Sequence, residues 1–118
     1  MLFDKVAEIL EAEVLSCKDK LDKEVYNACS SDMMSDVLAF AKDSCLLLTG
    51  LINQQVIRTA EMKDILCVCF VRDKKPDAAI IELAEEKGII VMRTAFRLYE
   101  ASGRLYAAGL GKEAKSNG

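Results

Sequence analysis

The sequence predicts a single three-layer α/β/α domain built on a mostly parallel sheet of about five strands. Three observations predict it. Segments of helical period alternate with short apolar runs across connections of a few residues, the pattern of strands linked by crossover helices. The run at 65–71 is apolar at every position without alternation, so both of its faces must be covered, as in a strand inside a parallel sheet. A length of 118 residues with 52% apolar content amounts to one domain with enough chain to bury a core.

Taken in order, residues 2–11 place Leu2, Val6, Ile9 and Leu10 on one side of a helix. Residues 13–17 follow as a short strand, 18–23 as a charged turn, and 25–29 as a second strand. Asp32 opens a helix that ends near Lys42, with Met33, Met34, Val37, Leu38 and Ala41 as its apolar face. The apolar run 45–48 is too short for a helix and is closed by Thr49 and Gly50, so it reads as a buried strand. Residues 52–63 form a helix with Ile52, Val56, Ala60 and Met62 turned inward. After the strand 65–71, Pro76 sits in the first turn of a helix that runs to Lys87 and stops at Gly88. Ile80, Leu83 and Ala84 face its inside, while Glu82, Glu85 and Glu86 face water. Residues 89–92 make the last strand, and Thr94 starts a last helix reaching about Ala108. The domain is thus expected over 1–110, with 111–118 as a disordered polar tail.

Composition argues against several function classes. The net charge is −3, the basic residues are scattered and there is no tryptophan, so the charge density and stacking groups that hold nucleic acid are missing. No apolar run approaches the roughly 20 residues that span a bilayer, and the first residues lack a signal peptide's pattern, so no membrane partner and a cytoplasmic location are expected. Five cysteines, an odd number, fit a reducing compartment in which thiols serve as small apolar side chains.

The absence of histidine removes the usual general base at neutral pH and the commonest zinc ligand. Cys67 and Cys69 lie two apart, on one face of the most apolar strand, and read as buried inert thiols rather than metal ligands. The stretch Gly109, Leu110, Gly111, Lys112 has a helix before it and Glu113 after it, so it reads as a helix exit and not a phosphate loop. Asp32 and Asp36 read as a helix cap and an exposed side chain rather than a cation pair. No catalytic residue, metal or cofactor is expected.

Polar residues concentrate where the strands end. Ser31 and Asp32 follow one strand, Thr49, Gly50 and Asn53 the next, then Arg72, and finally Arg93 and Thr94. Ligands of open parallel sheets settle outside the carboxyl ends of the strands, where helix N-termini favour anions, so these eight residues are the candidate site for an anionic small molecule. The last helix carries a second signal. At 100° per residue its apolar and small residues fill an arc of roughly 220°, against the roughly 100° stripe that docking on a core requires. Phe96, Tyr99, Gly103 and Tyr106 lie toward one edge of that arc and are the candidate homodimer interface, Gly103 permitting close approach.

Two stretches, Ala28-Cys29-Ser30-Ser31-Asp32-Met33-Met34-Ser35-Asp36-Val37-Leu38 and Leu47-Leu48-Thr49-Gly50-Leu51-Ile52-Asn53-Gln54-Gln55-Val56-Ile57-Arg58-Thr59-Ala60, resemble the DRTGG domain family. The closing Tyr99-Glu100-Ala101-Ser102-Gly103-Arg104-Leu105 adds to the resemblance, which covers about residues 1–110. Of the name-giving letters only Thr49-Gly50 is kept. The resemblance implies a three-layer domain similar to the N-terminal domain of the kinase/phosphorylase of the phosphocarrier protein HPr. Such domains also lie beside CBS pairs in pyrophosphatases and within phosphotransacetylases, as accompaniments to catalytic domains. The function expected is a non-catalytic regulatory or interaction module, a homodimer acting with a partner protein, and its rival is a sensor of an anionic metabolite or nucleotide.

Overall fold

A computed structural model describes residues 1–112 of the chain. Helix α1 (Phe3–Leu10) leads into β1 (Glu13–Val14), a 3-10 turn (Lys18–Lys20) and β2 (Ala28–Ser30). There follow α2 (Met34–Phe40), β3 (Leu46–Thr49), α3 (Gln54–Met62), β4 (Cys67–Phe70), α4 (Ala78–Lys87), β5 (Ile90–Arg93) and α5 (Leu98–Ala107). The five strands form one sheet in the order β1-β5-β4-β3-β2. β2 to β5 are parallel, and β1 closes the far edge antiparallel to β5, with Glu13 opposite Arg93. The three-layer, mostly parallel architecture that the sequence predicts is the one the chain adopts.

The side-chain alternation of the strands divides the core. Leu46, Leu48, Cys67, Cys69, Ile90 and Met92 face α1 and α5, while Leu47, Val68, Phe70 and Val91 face α2, α3 and α4. Every residue of β3 and β4 is buried, which explains why these two strands carry no polar alternation. Three successive crossovers step in one direction across the sheet and put their helices on one face, as crossovers of a single hand must. α5 leaves the last parallel strand for the opposite face and packs beside α1.

Several expected details differ, each for a local reason. Phe3, not Leu2, anchors α1, because Leu2 makes a bridge to Glu24 ahead of the helix and stays exposed. The strand expected at 25–29 is confined to Ala28–Ser30, although Val25 is still buried. The strand expected at 13–17 ends at Val14, since Cys17 turns left-handed at φ +50. α2 starts one residue later than a cap at Asp32 would place it, with Met33 at the N-cap, and only Val37 of the helix is buried, leaving Met33 and Leu38 exposed. Met62, expected inside, is exposed at the last position of α3, where Ile57 takes the inward place. Pro76 precedes the helix it was expected to start, because Asp77 caps α4 by accepting from the Ile80 amide at 2.9 Å. Thr94 and Phe96 lie ahead of α5, which begins at Leu98.

The expected tail begins inside the described chain. The Gly111 amide donates to the Tyr26 carbonyl at 3.0 Å, and the remainder, 113–118, lies outside the described residues. Among the described residues no helix is long and apolar enough to cross a membrane, and no group of three metal-ligating side chains is assembled.

Candidate functional site

The ends of β2, β3 and β4 bring part of the expected constellation together. One carboxylate oxygen of Asp32, on the β2–α2 connection, accepts the Gly50 amide at 2.6 Å and the Thr49 hydroxyl at 3.0 Å. The Leu51 amide donates to Thr49 Oγ1, which fixes the hydroxyl's own proton toward Asp32. Ser31 folds its hydroxyl under the same connection and accepts the Met33 amide at 3.0 Å. The second Asp32 oxygen lies 3.9 Å from Arg72 Nη2.

Arg72 and the following Asp73 both adopt left-handed backbone, at φ +62 and +58. Two consecutive non-glycine residues in that region are costly and persist only where surrounding bonds hold them. Here the Arg72 amide donates to the Phe96 carbonyl at 2.8 Å and the Asp73 amide to the Thr94 carbonyl at 2.9 Å, so the β5–α5 connection holds the turn. The reversal sends the Arg72 guanidinium back over Gly50, whose carbonyl lies 3.5 Å from Nη2 and accepts Lys74 Nζ at 3.0 Å. The absence of a Cβ on Gly50 lets the guanidinium lie this close, and a side chain there would push the half-exposed end of Arg72 aside.

Ser31, Asp32, Thr49, Gly50 and Arg72 therefore share one cluster, and Lys74 belongs with them. Lys74 was missed by the sequence reading. Its only signal was the run Arg72-Asp73-Lys74-Lys75 between a strand end and a proline.

The other three expected residues are occupied elsewhere. Asn53 caps α3, its side chain accepting from the Val56 amide at 3.2 Å. Arg93 turns toward the β1 edge, where Nη1 meets Glu13 at 3.1 Å and Nη2 meets Asp73 at 2.8 Å, leaving Nε buried without a partner. Thr94 is buried and donates to the Leu10 carbonyl at 2.6 Å. Arg72 and Arg93 thus engage different loops, and Asp73 lies between them in the chain.

A second feature is a groove of about 880 Å³ between α5 and the free edge of β2. Leu48 and Leu105 line it, with Asn27 and Ser30 on the strand side and Tyr99, Gly103 and Tyr106 on the helix side. Ser30 Oγ and Ser102 Oγ are 2.7 Å apart and tie helix to strand. Tyr99 is 92% and Tyr106 62% exposed, and a Cβ at Gly103 would meet open space. This face of α5 stays open to solvent although α1 packs beside the same helix, with Lys112 Nζ over the Tyr106 ring, 4.1 Å from its centre. Phe96 does not line the groove; it is half-buried beneath the Arg104 guanidinium, 4.0 Å from the ring centre. Sequence reading gave no sign of the strand side, because no local pattern says which strand lies beneath the last helix.

The five cysteines are free thiols, and four of them are buried. Burial pushes Cys45 up to about 11 and Cys69 to about 12, and raises Cys67 well above the usual thiol range. Cys17 is pushed to about 12 by burial and by its hydrogen bond to Glu85, 2.9 Å away. Thiols held protonated in this way are poor nucleophiles and poor metal ligands.

A family model described as the DRTGG domain matches residues 5–108. No curated protein matches the chain in sequence. Among solved structures, the chain is similar to the CBS and DRTGG domains of the regulatory region of a Clostridium perfringens pyrophosphatase, complexed with the activator diadenosine tetraphosphate. The TM-score is 0.74 at 18% identity over 88% of this chain, and the match spans 45% of that structure's length.

Proposed function

The chain belongs to the DRTGG domain family, and from that premise we propose that it is a non-catalytic regulatory module that works as a homodimer and acts on a partner protein. The observation that carries the reading is the bare α5 face. Tyr99 and Tyr106 stand one on each side of Gly103 over an apolar groove, a combination of large rigid side chains and a gap that favours close approach of another surface. Exposed apolar patches of this kind on a small domain mark interaction sites. Glu100 and Arg104, 3.6 Å apart on the same helix, flank the stripe with both signs of charge, so an antiparallel second copy would set each opposite its complement. Sedimentation or light scattering of the wild type and of Tyr106→Glu tests it. A wild-type dimer and a monomeric variant are expected; a monomer at high micromolar concentration, or a dimer indifferent to the charge, would overturn it.

A second reading has its own support. The cluster at the ends of β2 to β4 joins a backbone amide, a hydroxyl, a guanidinium and an ammonium, which suits an anionic metabolite or nucleotide. The pyrophosphatase regulatory region that shares this fold was solved with a nucleotide activator. A ligand at a hundred times its dissociation constant adds about 2.7 kcal/mol of stability, enough to register in a melting screen of nucleotides and phosphorylated metabolites.

A further inference from the structure

We propose that Asp32 is a built-in occupant of a phosphate-class anion seat, and that an entering phosphate displaces it and releases α2. The inference rests on the second reading above and adds to it how the site is controlled.

The position of the carboxylate carries the argument. An Asp at a helix start can turn onto that helix's first amides. Asp32 does not: α2 has no side-chain cap, and the carboxylate reaches instead across to the next loop. There it receives the donors that would hold a phosphate oxygen, the Gly50 amide and the Thr49 hydroxyl on one oxygen, with Arg72 Nη2 3.9 Å from the other. Lys74 adds a second positive charge at the Gly50 carbonyl, 3.0 Å away. The chain has built an anion seat and filled it with its own anion.

Two further features make the occupant exchangeable. The Asp32 side chain is 52% exposed and that of Arg72 46%, so the seat opens to solvent. A phosphate offers more oxygens and more charge to the same donors than one carboxylate does, and Arg72 meets it with a planar fork suited to such oxygens. The donors therefore pass from one acceptor to another without being left unpaired.

Displacement has a structural consequence because α2 is shallowly anchored. It is seven residues long and buries only Val37, while Met33, Leu38 and Phe40 are exposed around it. Segments with so few buried contacts open at low free energy. The Asp32 bonds to Thr49 and Gly50, together with the Ser31 amide on the Leu48 carbonyl at 3.1 Å, tie the start of this segment to the end of β3. Losing the two Asp32 bonds loosens the start of α2 and with it the seating of Val37, the buried residue of the helix.

The test uses the full chain with inorganic pyrophosphate as probe. Affinity is measured by calorimetry for the wild type, Asp32→Asn and Asp32→Ala, and amide exchange is followed across 33–41. Asp32→Asn keeps an acceptor for Thr49 and Gly50 and so protects the fold while removing the competing charge. Expected are binding by the wild type, at least tenfold tighter binding by both variants, loss of binding in Arg72→Ala/Lys74→Ala, and faster exchange in 33–41 when wild type is loaded. Wild-type binding that depends on Arg72 and Lys74 but is no tighter in the variants leaves the anion site standing and overturns the displacement. So does unchanged exchange in 33–41. Absence of binding in all three proteins at millimolar probe overturns the anion site itself.

Discussion

The hydroxyl of Thr94 donates to the carbonyl of Leu10 at 2.6 Å, joining the end of the last strand to the end of the first helix across 84 residues of chain. The final carbonyls of a helix have no partner within it, and Leu10 is fully buried, so this bond satisfies a group that water does not reach. Thr94 also accepts the Phe96 amide at 3.3 Å, which sets the course of the β5–α5 connection.

Thr94→Val is therefore expected to cost about 1–3 kcal/mol, the penalty of leaving a buried polar group unpaired. Urea denaturation reads the loss, and amide exchange should rise in α1 before α3. Thr94→Ser keeps the hydroxyl and should retain most of the stability. Equal stability of Val and wild type would remove the structural role.

Ser16 extends the edge of the sheet with a side chain. β1 ends at Val14, and the buried Ser16 hydroxyl donates to the Ile89 carbonyl and accepts the Val91 amide, both at 2.8 Å. Ser16→Ala leaves both groups without a partner and should destabilise by about 3 kcal/mol, since each unpaired group costs about 1–3 kcal/mol. A change below about 1 kcal/mol would mean that the edge repairs itself.

Stability should fall on the alkaline side. The thiols of Cys17, Cys45, Cys67 and Cys69 are raised in the folded protein above the ordinary value of 9.0. Their contribution is full below pH 9, where the thiols are protonated in both states. It is lost as pH rises from 9 toward 11 or 12, because the unfolded chain releases its protons first. Each such thiol contributes a slope of up to about 1.4 kcal/mol per pH unit in that window. Urea midpoints should drop between pH 9 and pH 10.5 and less steeply in Cys45→Ala; a flat profile in both proteins would contradict the assignment.

Thiol labelling should separate the cysteines by position. Cys29, on the edge strand, is the one partly exposed cysteine, and the other four are buried. Under native conditions a thiol reagent should label Cys29 alone, and slowly, because burial and Asp36 raise its pKa. All five should react after unfolding. Fast native labelling of Cys67 or Cys69 would place them outside the core.

Much of the fold was legible because local pattern carried it. The unbroken run through Cys67 and Phe70 announced a strand covered on both faces, and Gly88, left-handed at φ +72, announced a helix stop. The apolar surplus on the last helix also lay in the sequence, since Tyr99, Gly103 and Tyr106 recur at helical spacing whatever lies beside them. Ser31, Asp32, Thr49, Gly50 and Arg72 could be grouped from sequence because parallel strands end on the same side of a sheet, and chain order alone lists those ends. What sequence by itself determined, then, is whatever depends on neighbours along the chain: element type, the facing of a strand, and which residues fall at strand ends.

Tertiary structure decided how those residues are used. Thr94 and Asn53 look like ligand donors in one dimension, yet the first is claimed by Leu10 from the other end of the chain and the second by its own helix. Arg72 and Arg93 lie at the ends of adjacent strands, but the left-handed turn at 72–73 swings one toward Gly50, while the antiparallel β1 edge draws the other to Glu13. Met62 reads as one of the inward positions of its helix, yet it is exposed at the last position of α3. Hydrogen bonds and charge pairs act over a few ångströms of space regardless of separation in sequence, so the partner that claims a polar side chain is fixed only when the chain has folded.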